Sequence, residues 1–181
     1  MNEEVKKLRL FLKKRVVSER SWIPRSDWQR TCSRRNVKMQ IRPYETFIGL
    51  AYNKEGQLVQ ITKNSLASAF IFYVTLLEEQ NIHSNILNQQ SSLSVQQVFL
   101  ETKNDAIVSE FELLELHVRE EGIGERGLLL EALIDDLQIH YNDFSISGSY
   151  DHISYSGLIS LECFSRYGFK LENGQLIYKK S

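Results

Sequence analysis

The sequence predicts an α/β (α+β) domain, and three stretches carry that expectation. Phe111–Val118 alternates apolar and polar residues as a half-buried strand does, and Gly122, Gly124 and Gly127 follow it at once. Leu128-Leu-Leu-Glu-Ala-Leu-Ile-Asp-Asp-Leu137 then has the composition and spacing of a helix. Near the end, Asn173-Gly174 separates two alternating runs, a strong short-range signal for a hairpin.

The elements follow in order. Val5, Leu8, Leu12 and Val16 recur at helical spacing, with Glu3 and Glu4 at the start and Lys13, Lys14 and Arg15 near the end, so residues 2–17 read as an amphipathic helix. Residues 18–42 read as irregular, basic and aromatic, with Trp22, Trp28 and the restricted Ile23-Pro24 bond. Phe47–Tyr52 and Gln57–Thr62 flank Asn53-Lys-Glu-Gly56 and read as a hairpin. Asn64 or Ser65 can cap a buried helix reaching about Gln80, since Leu66–Leu77 is the most apolar window. That window is shorter than the ~20 residues a membrane span needs. A polar loop, Asn88–Ser92, precedes two strands, Val95–Thr102 and Ile107–Val118. After the glycines come a helix from about Gly127 to His140, a strand Asp143–Ser149, a helix from about Ser156 to Tyr167 ending at Gly168, and the final hairpin.

At 181 residues one core is the default, and 42% hydrophobic with 25% charged residues is ordinary globular composition. The division expected is an N-terminal helix and basic arm, 1–42, and a main domain, 43–181. Charge is unevenly spread. Residues 13–42 carry ten Lys/Arg against Glu19 and Asp27, whereas residues 101–143 carry twelve Asp/Glu against three Lys/Arg. Cys32 and Cys163 lack partner spacing, and the start of the chain has no signal-like apolar core, so a reducing, cytoplasmic setting is expected. His83, His117, His140 and His152 lack metal-ligand spacing, and no metal is expected.

A glycine turn opening a helix leaves N–H groups facing outward at the positive end of the helix dipole, a cradle for phosphate. Gly122-x-Gly124-x-x-Gly127 also matches the dinucleotide fingerprint, with Asp143 near the position of a ribose-binding acid. The chain after Gly127 holds only one further helix and a hairpin, and the strand before it carries Glu112, Glu115 and His117. A doubly wound sheet wants more βα units and a nearly continuous apolar strand. No Gly-Lys-Ser/Thr of a Walker A loop occurs.

Arg119-Glu-Glu-Gly122-Ile-Gly124 resembles the Gln/Arg-x-x-Gly-x-Gly/Ala loop of the GNAT N-acetyltransferase superfamily, and Leu128–Ile134 resembles the helix after that loop. Phe164-Ser-Arg-Tyr-Gly168-Phe169-Lys is similar to the family's Tyr-x-x-x-Gly-Phe-Lys ending. The resemblance covers residues 107–178. It implies a GNAT-like mixed, mostly antiparallel sheet flanked by helices, acetyl-CoA or another acyl-CoA as co-substrate, and transfer of the acyl group to a primary amine. By the same resemblance, the acyl-CoA lies against Leu114, Leu116 and Val118 of a strand that splays from its neighbour. Arg119, Gly122, Ile123, Gly124, Glu125 and Arg126 hold its diphosphate, with Phe164 close by. Glu112 and Glu115 are the candidate bases, with His117 as a third; three apart on a regular strand, the two carboxylates are expected on opposite faces.

Two departures stand out. Phe164 occupies the place of the tyrosine that protonates the leaving thiolate, and Gly157 that of a common asparagine. Tyr155, Tyr167 or water would then supply the proton. The acidic residues of 101–143 favour a cationic acceptor, on a small molecule or a protein. The competing expectation is a non-catalytic module that binds nucleic acid or a protein partner through Arg20, Arg25, Arg30, Arg34, Arg35 and Arg42 with Trp22 and Trp28. The bland alternative is a basic loop pinned by its tryptophans on the acidic half of its own subunit or of a second one in a homodimer.

Overall fold

The computed structural model describes residues 22–39, 41–77, 90–103, 106–119, 124–153 and 161–180. A nine-stranded sheet organises them, with spatial order β1-β2-β3-β4-β5-β6-β7-β9-β8. Its strands are β1 Trp22–Ile23, β2 Glu45–Tyr52, β3 Leu58–Leu66, β4 Ala69–Leu76, β5 Gln90–Lys103, β6 Ala106–His117, β7 Asp143–Ser149, β8 Lys170–Glu172 and β9 Gln175–Lys179. Four α-helices accompany them among the described residues: α1 Trp28–Arg35, α2 Glu125–His140, α3 Tyr150–Ile153 and α4 Leu161–Arg166. Every neighbouring pair is antiparallel except β6 and β7, which α2 connects in parallel. The protein is therefore a mixed α/β, mostly antiparallel sheet flanked by helices.

The two faces of the sheet differ in chemistry. One presents Ala51, Val59, Ile61, Phe72, Val74, Leu93, Val95, Phe111, Leu113 and Leu116, all buried. Helix α2 lies along β4 and β5 on this side and adds the fully buried Leu129, Leu130, Leu133 and Leu137. Each such leucine stabilises the fold by about 1.5–3 kcal/mol through removal from water. The strand register puts Gln60, Thr62 and Asn64 of β3 beside Thr75, Tyr73 and Ile71 of β4 on the opposite face. Tyr73 then stands beside Ser92, and Ser92 beside His117, which makes this face polar from β4 to β6, whereas at β2 and β3 Leu50 and Leu58 join Cys32, Val37 and Leu77 in a second buried cluster.

Residues 64–77, the described part of the helix expected to reach about Gln80, form strands instead. Asn64–Leu66 ends β3, Ala67 adopts φ 46° in a tight turn, and Ala69–Leu76 forms β4. The apolar run was compatible with either element. Its β-branched and aromatic residues alternate, so Phe72 and Val74 enter the core under α2 while Tyr73 and Thr75 take the polar face. Gln90–Ser92 likewise belongs to β5 and not to a loop. The hairpin at 47–62, the strands at 95–118, the helix to His140, the strand at 143–149 and the final hairpin lie where expected. Gly168 has φ 88°, the left-handed conformation expected after the last helix, whose described part is Leu161–Arg166. The expected helix at 2–17 lies outside the described residues.

The basic segment 18–42 is not wholly irregular, because α1 spans Trp28–Arg35 and Asn36 closes it at φ 51°. Both tryptophans are engaged. Trp22 donates from Nε1 to Glu131 Oε2 at 2.8 Å, and Trp28 donates to the Ile23 carbonyl at 2.7 Å while meeting Phe47 edge-on. Arg25, Arg35 and Arg42 lie over the rings of Trp28, Tyr52 and Tyr73. Both indoles thus take part in internal packing.

Candidate functional site

Strands β6 and β7 are paired from Val108/Asp143 to Glu112/Ser147, and no ladder pairing joins them beyond that point. β6 nevertheless continues to His117, so the two strands part there and the last residues of β6 have no strand partner on that side among the described residues. Gly148 sets the vertex. A Cβ there would lie 2.9 Å from the Leu113 carbonyl oxygen and 2.7 Å from Ile153 Cδ1, so only glycine lets the two backbones meet at that point.

β6 is not a regular strand. Ser94 pairs with Glu115 but Val95 with Leu113, so Leu114 is an extra residue and forms a β-bulge. The bulge corrects the expectation that Glu112 and Glu115 face opposite ways. With Leu113 and Leu116 buried on one side, Glu112, Glu115 and His117 are all exposed on the other. Glu110 is exposed as well, which leaves a row of carboxylates along the polar face. Leu114 and Val118 are half-buried.

The far end of β6 is tied to α2 by a buried polar network. Arg119 turns inward and forms an ion pair with Glu125, with Nη2 to Oε1 at 2.5 Å and Nε to Oε1 at 2.9 Å. Glu125 is completely buried, and its Oε2 accepts the Ser91 hydroxyl at 2.5 Å. The Ser91 oxygen accepts the Arg119 N–H at 3.2 Å, and Gln57 accepts Arg119 Nη2 at 3.2 Å. Asn53 reaches both Gln57 and Glu125. One carboxylate at the start of the helix thus satisfies the helix dipole and the guanidinium together. Gly124 caps α2 at φ 90°. Gly122 and Ile123 lie outside the described residues.

Lys54 is a cation that sequence spacing did not single out. Its turn is shaped by Asn53, whose Oδ1 accepts the N–H groups of Glu55 and Gln57, and its stem crosses Gly124. The charges of Arg126, Lys54 and Arg166 each act to lower the pKa of the Cys163 thiol, although burial wins and raises it. Lys54 and Arg126 thus lie at the first turn of α2, whereas Arg166 is paired with Glu162 on α4. Only the pairing of β2 and β3 with the rest of the sheet brings Lys54 here, so no local pattern announces it.

The aromatic residues at the end of the resemblance are internal. Phe164 is completely buried and meets Phe169 edge-on. Phe164→Tyr is expected to lower the denaturant midpoint at unchanged m-value, by about 1–3 kcal/mol of stability, because the new hydroxyl enters an apolar core. Tyr167 lies over Gly127 and hydrogen-bonds Glu131, the same carboxylate that Trp22 holds. Burial and the Glu131 charge push its phenol pKa well up, so it stays protonated.

Glu131 itself is raised, first by burial, with the Trp22 and Tyr167 donors opposing and Asp135 reinforcing. A carboxyl raised in the folded state stabilises most when protonated, and that contribution is lost as pH rises through the folded pKa. Glu131→Gln keeps an acceptor without the charge. Its melting temperature is expected to exceed the parent's at about pH 8, with the difference shrinking toward about pH 4.

Among the described residues, no group of His, Cys, Asp and Glu side chains is arranged to hold a metal ion. No described helix is long and apolar enough to cross a membrane. No protein-family model and no curated protein matches the chain. Among solved structures, it is similar to a chain in the crystal structure of the NatC complex bound to Gag peptide and CoA. The TM-score is 0.39 at 16% identity, covering 61% of this chain and 71% of that one.

Proposed function

We propose that this protein is a GNAT-type acyltransferase that moves an acetyl or other short acyl group from acyl-CoA to a primary amine. The observation that carries the reading is the parting of β6 from β7 beside the glycine-capped start of α2. The gap offers unpaired strand backbone to a pantetheine arm, and Lys54, Arg126 and the first-turn amides of α2 offer charge and donors to a diphosphate. The acyl carbonyl then lies against β6, where a backbone N–H polarises it.

The acceptor approaches over the polar face. Its ammonium is attracted by Glu110, Glu112 and Glu115, and it must lose a proton before it attacks. Glu112 or Glu115 takes that proton, directly or through a water. The amine nitrogen bonds to the acyl carbon, the tetrahedral intermediate gives up its second nitrogen proton to water as it collapses, and the carbon–sulfur bond breaks. With Phe164 buried and Tyr167 bonded to Glu131, the thiolate takes its proton from water. A thiol is acidic enough to leave in this way.

Calorimetry with acetyl-CoA, followed by CoA-release assays over a panel of polyamines, aminoglycoside-like amines and lysine peptides, tests the proposal. Glu112→Gln or Glu115→Gln is expected to lower kcat by about 10²–10⁴-fold with CoA affinity retained. No binding at about millimolar acetyl-CoA ends the proposal.

A further inference from the structure

The side chains of Arg119 and Glu125 are spent on each other, in a network closed by Ser91, Asn53 and Gln57. Arg119 has a side chain only 7% exposed and Glu125 one that is 0% exposed, so neither projects toward a ligand. What the pair joins is informative. Arg119 follows the last residues of β6, Glu125 begins α2, Ser91 lies on β5, and Asn53 and Gln57 lie in the turn that carries Lys54.

Resting on the acyl-CoA reading above, we infer that Arg119 and Glu125 are positioning residues. Their ion pair fixes the first turn of α2 and the Lys54 turn against the end of β6, so that amides and cation converge on one diphosphate. The bidentate fork of Arg119 has a fixed plane, which sets the direction of Glu125 and hence the rotation of α2 about its axis. The Ser91 hydroxyl ties both partners to β5, the strand next to β6, and Gln57 passes the constraint to the β2–β3 turn. Lys54 rests on Gly124, so a shift of either element displaces the cation from the amides. The pair acts on the diphosphate through these elements and not on the thioester.

Two variants of the full chain test this: Glu125→Gln, which removes the charge, and Ser91→Ala, which leaves the ion pair but cuts its tie to β5. Calorimetry with CoA and with S-acetylpantetheine, which lacks the diphosphate, is combined with steady-state kinetics. A loss in CoA affinity of about tenfold or more is expected for Glu125→Gln, with a smaller loss for Ser91→Ala. KM for acetyl-CoA should rise in parallel while kcat at saturation and S-acetylpantetheine binding hold. Arg119→Lys, which keeps charge without the fork, should fall between parent and Glu125→Gln. Unchanged CoA affinity in folded Glu125→Gln and Ser91→Ala overturns the inference and leaves the acyl-CoA reading standing. Equal losses for CoA and S-acetylpantetheine overturn it too, because they report general loosening. If Glu125→Gln does not fold, Ser91→Ala and Arg119→Lys carry the same comparison. A parent protein that binds no CoA removes both proposals together.

Discussion

Arg119→Ala is expected to cost about 3–5 kcal/mol of folding stability, a large share of what a domain of this size possesses. Glu125 would remain completely buried at the start of α2 with its main counter-charge gone, and Ser91 and Asn53 offer it only neutral donors. Leaving one member of a buried pair without the other is more costly than never having built the pair. The measurement is the urea midpoint near neutral pH, together with thermal melts. The double variant Arg119→Met/Glu125→Leu should recover much of the lost stability, since it removes the orphaned charge. It should not recover CoA affinity. That separation distinguishes a pair kept for geometry from one kept for stability. If Arg119→Ala melts within about 1 kcal/mol of the parent, the pair is not the constraint argued above.

The second large effect is expected at Gly148. Its Cβ position lies within 3.0 Å of both Leu113 Cβ and the Leu113 carbonyl, and nearer still to Ile153. One of these contacts is backbone, so the neighbour cannot yield by rotating a side chain. Gly148→Val therefore has to push β7 from β6 or displace α3, at a cost of about 1–3 kcal/mol or more. The vertex of the gap would move toward Glu112/Ser147, the last paired residues. Binding of acetyl-CoA and of S-acetylpantetheine should both weaken, in contrast to the diphosphate-selective loss expected for Glu125→Gln. A Gly148→Val protein with parental melting temperature and affinity would show that the gap is not held by this contact.

The C-terminal elements were legible because short-range chemistry specifies them. Asn173 and Gly174 both take positive φ in the hairpin turn, and Gly168 does so after α4. Leu128–Leu137 makes a helix in any context that offers an apolar face. The 64–80 stretch was not legible, because an apolar run of that length suits a buried helix or a central strand equally well. Pairing with β3 and β5 decided between them. The relation of Glu112 to Glu115 is not legible for a related reason: a bulge exists only with respect to a partner strand, and Leu114 becomes an extra residue only when Ser94 and Val95 are laid beside it.

By itself the sequence determined where α2 begins, which strand carries the carboxylates and that a hairpin follows the last helix. Each of these depends on backbone conformation and polarity within a few residues. Tertiary structure alone decided that Arg119 turns inward to Glu125, that Lys54 crosses Gly124, and that Phe164 and Tyr167 belong to the core and to Glu131. Those assignments depend on which distant groups compete for the same buried space and charge, and a buried guanidinium takes its direction from the carboxylate that the fold brings to it.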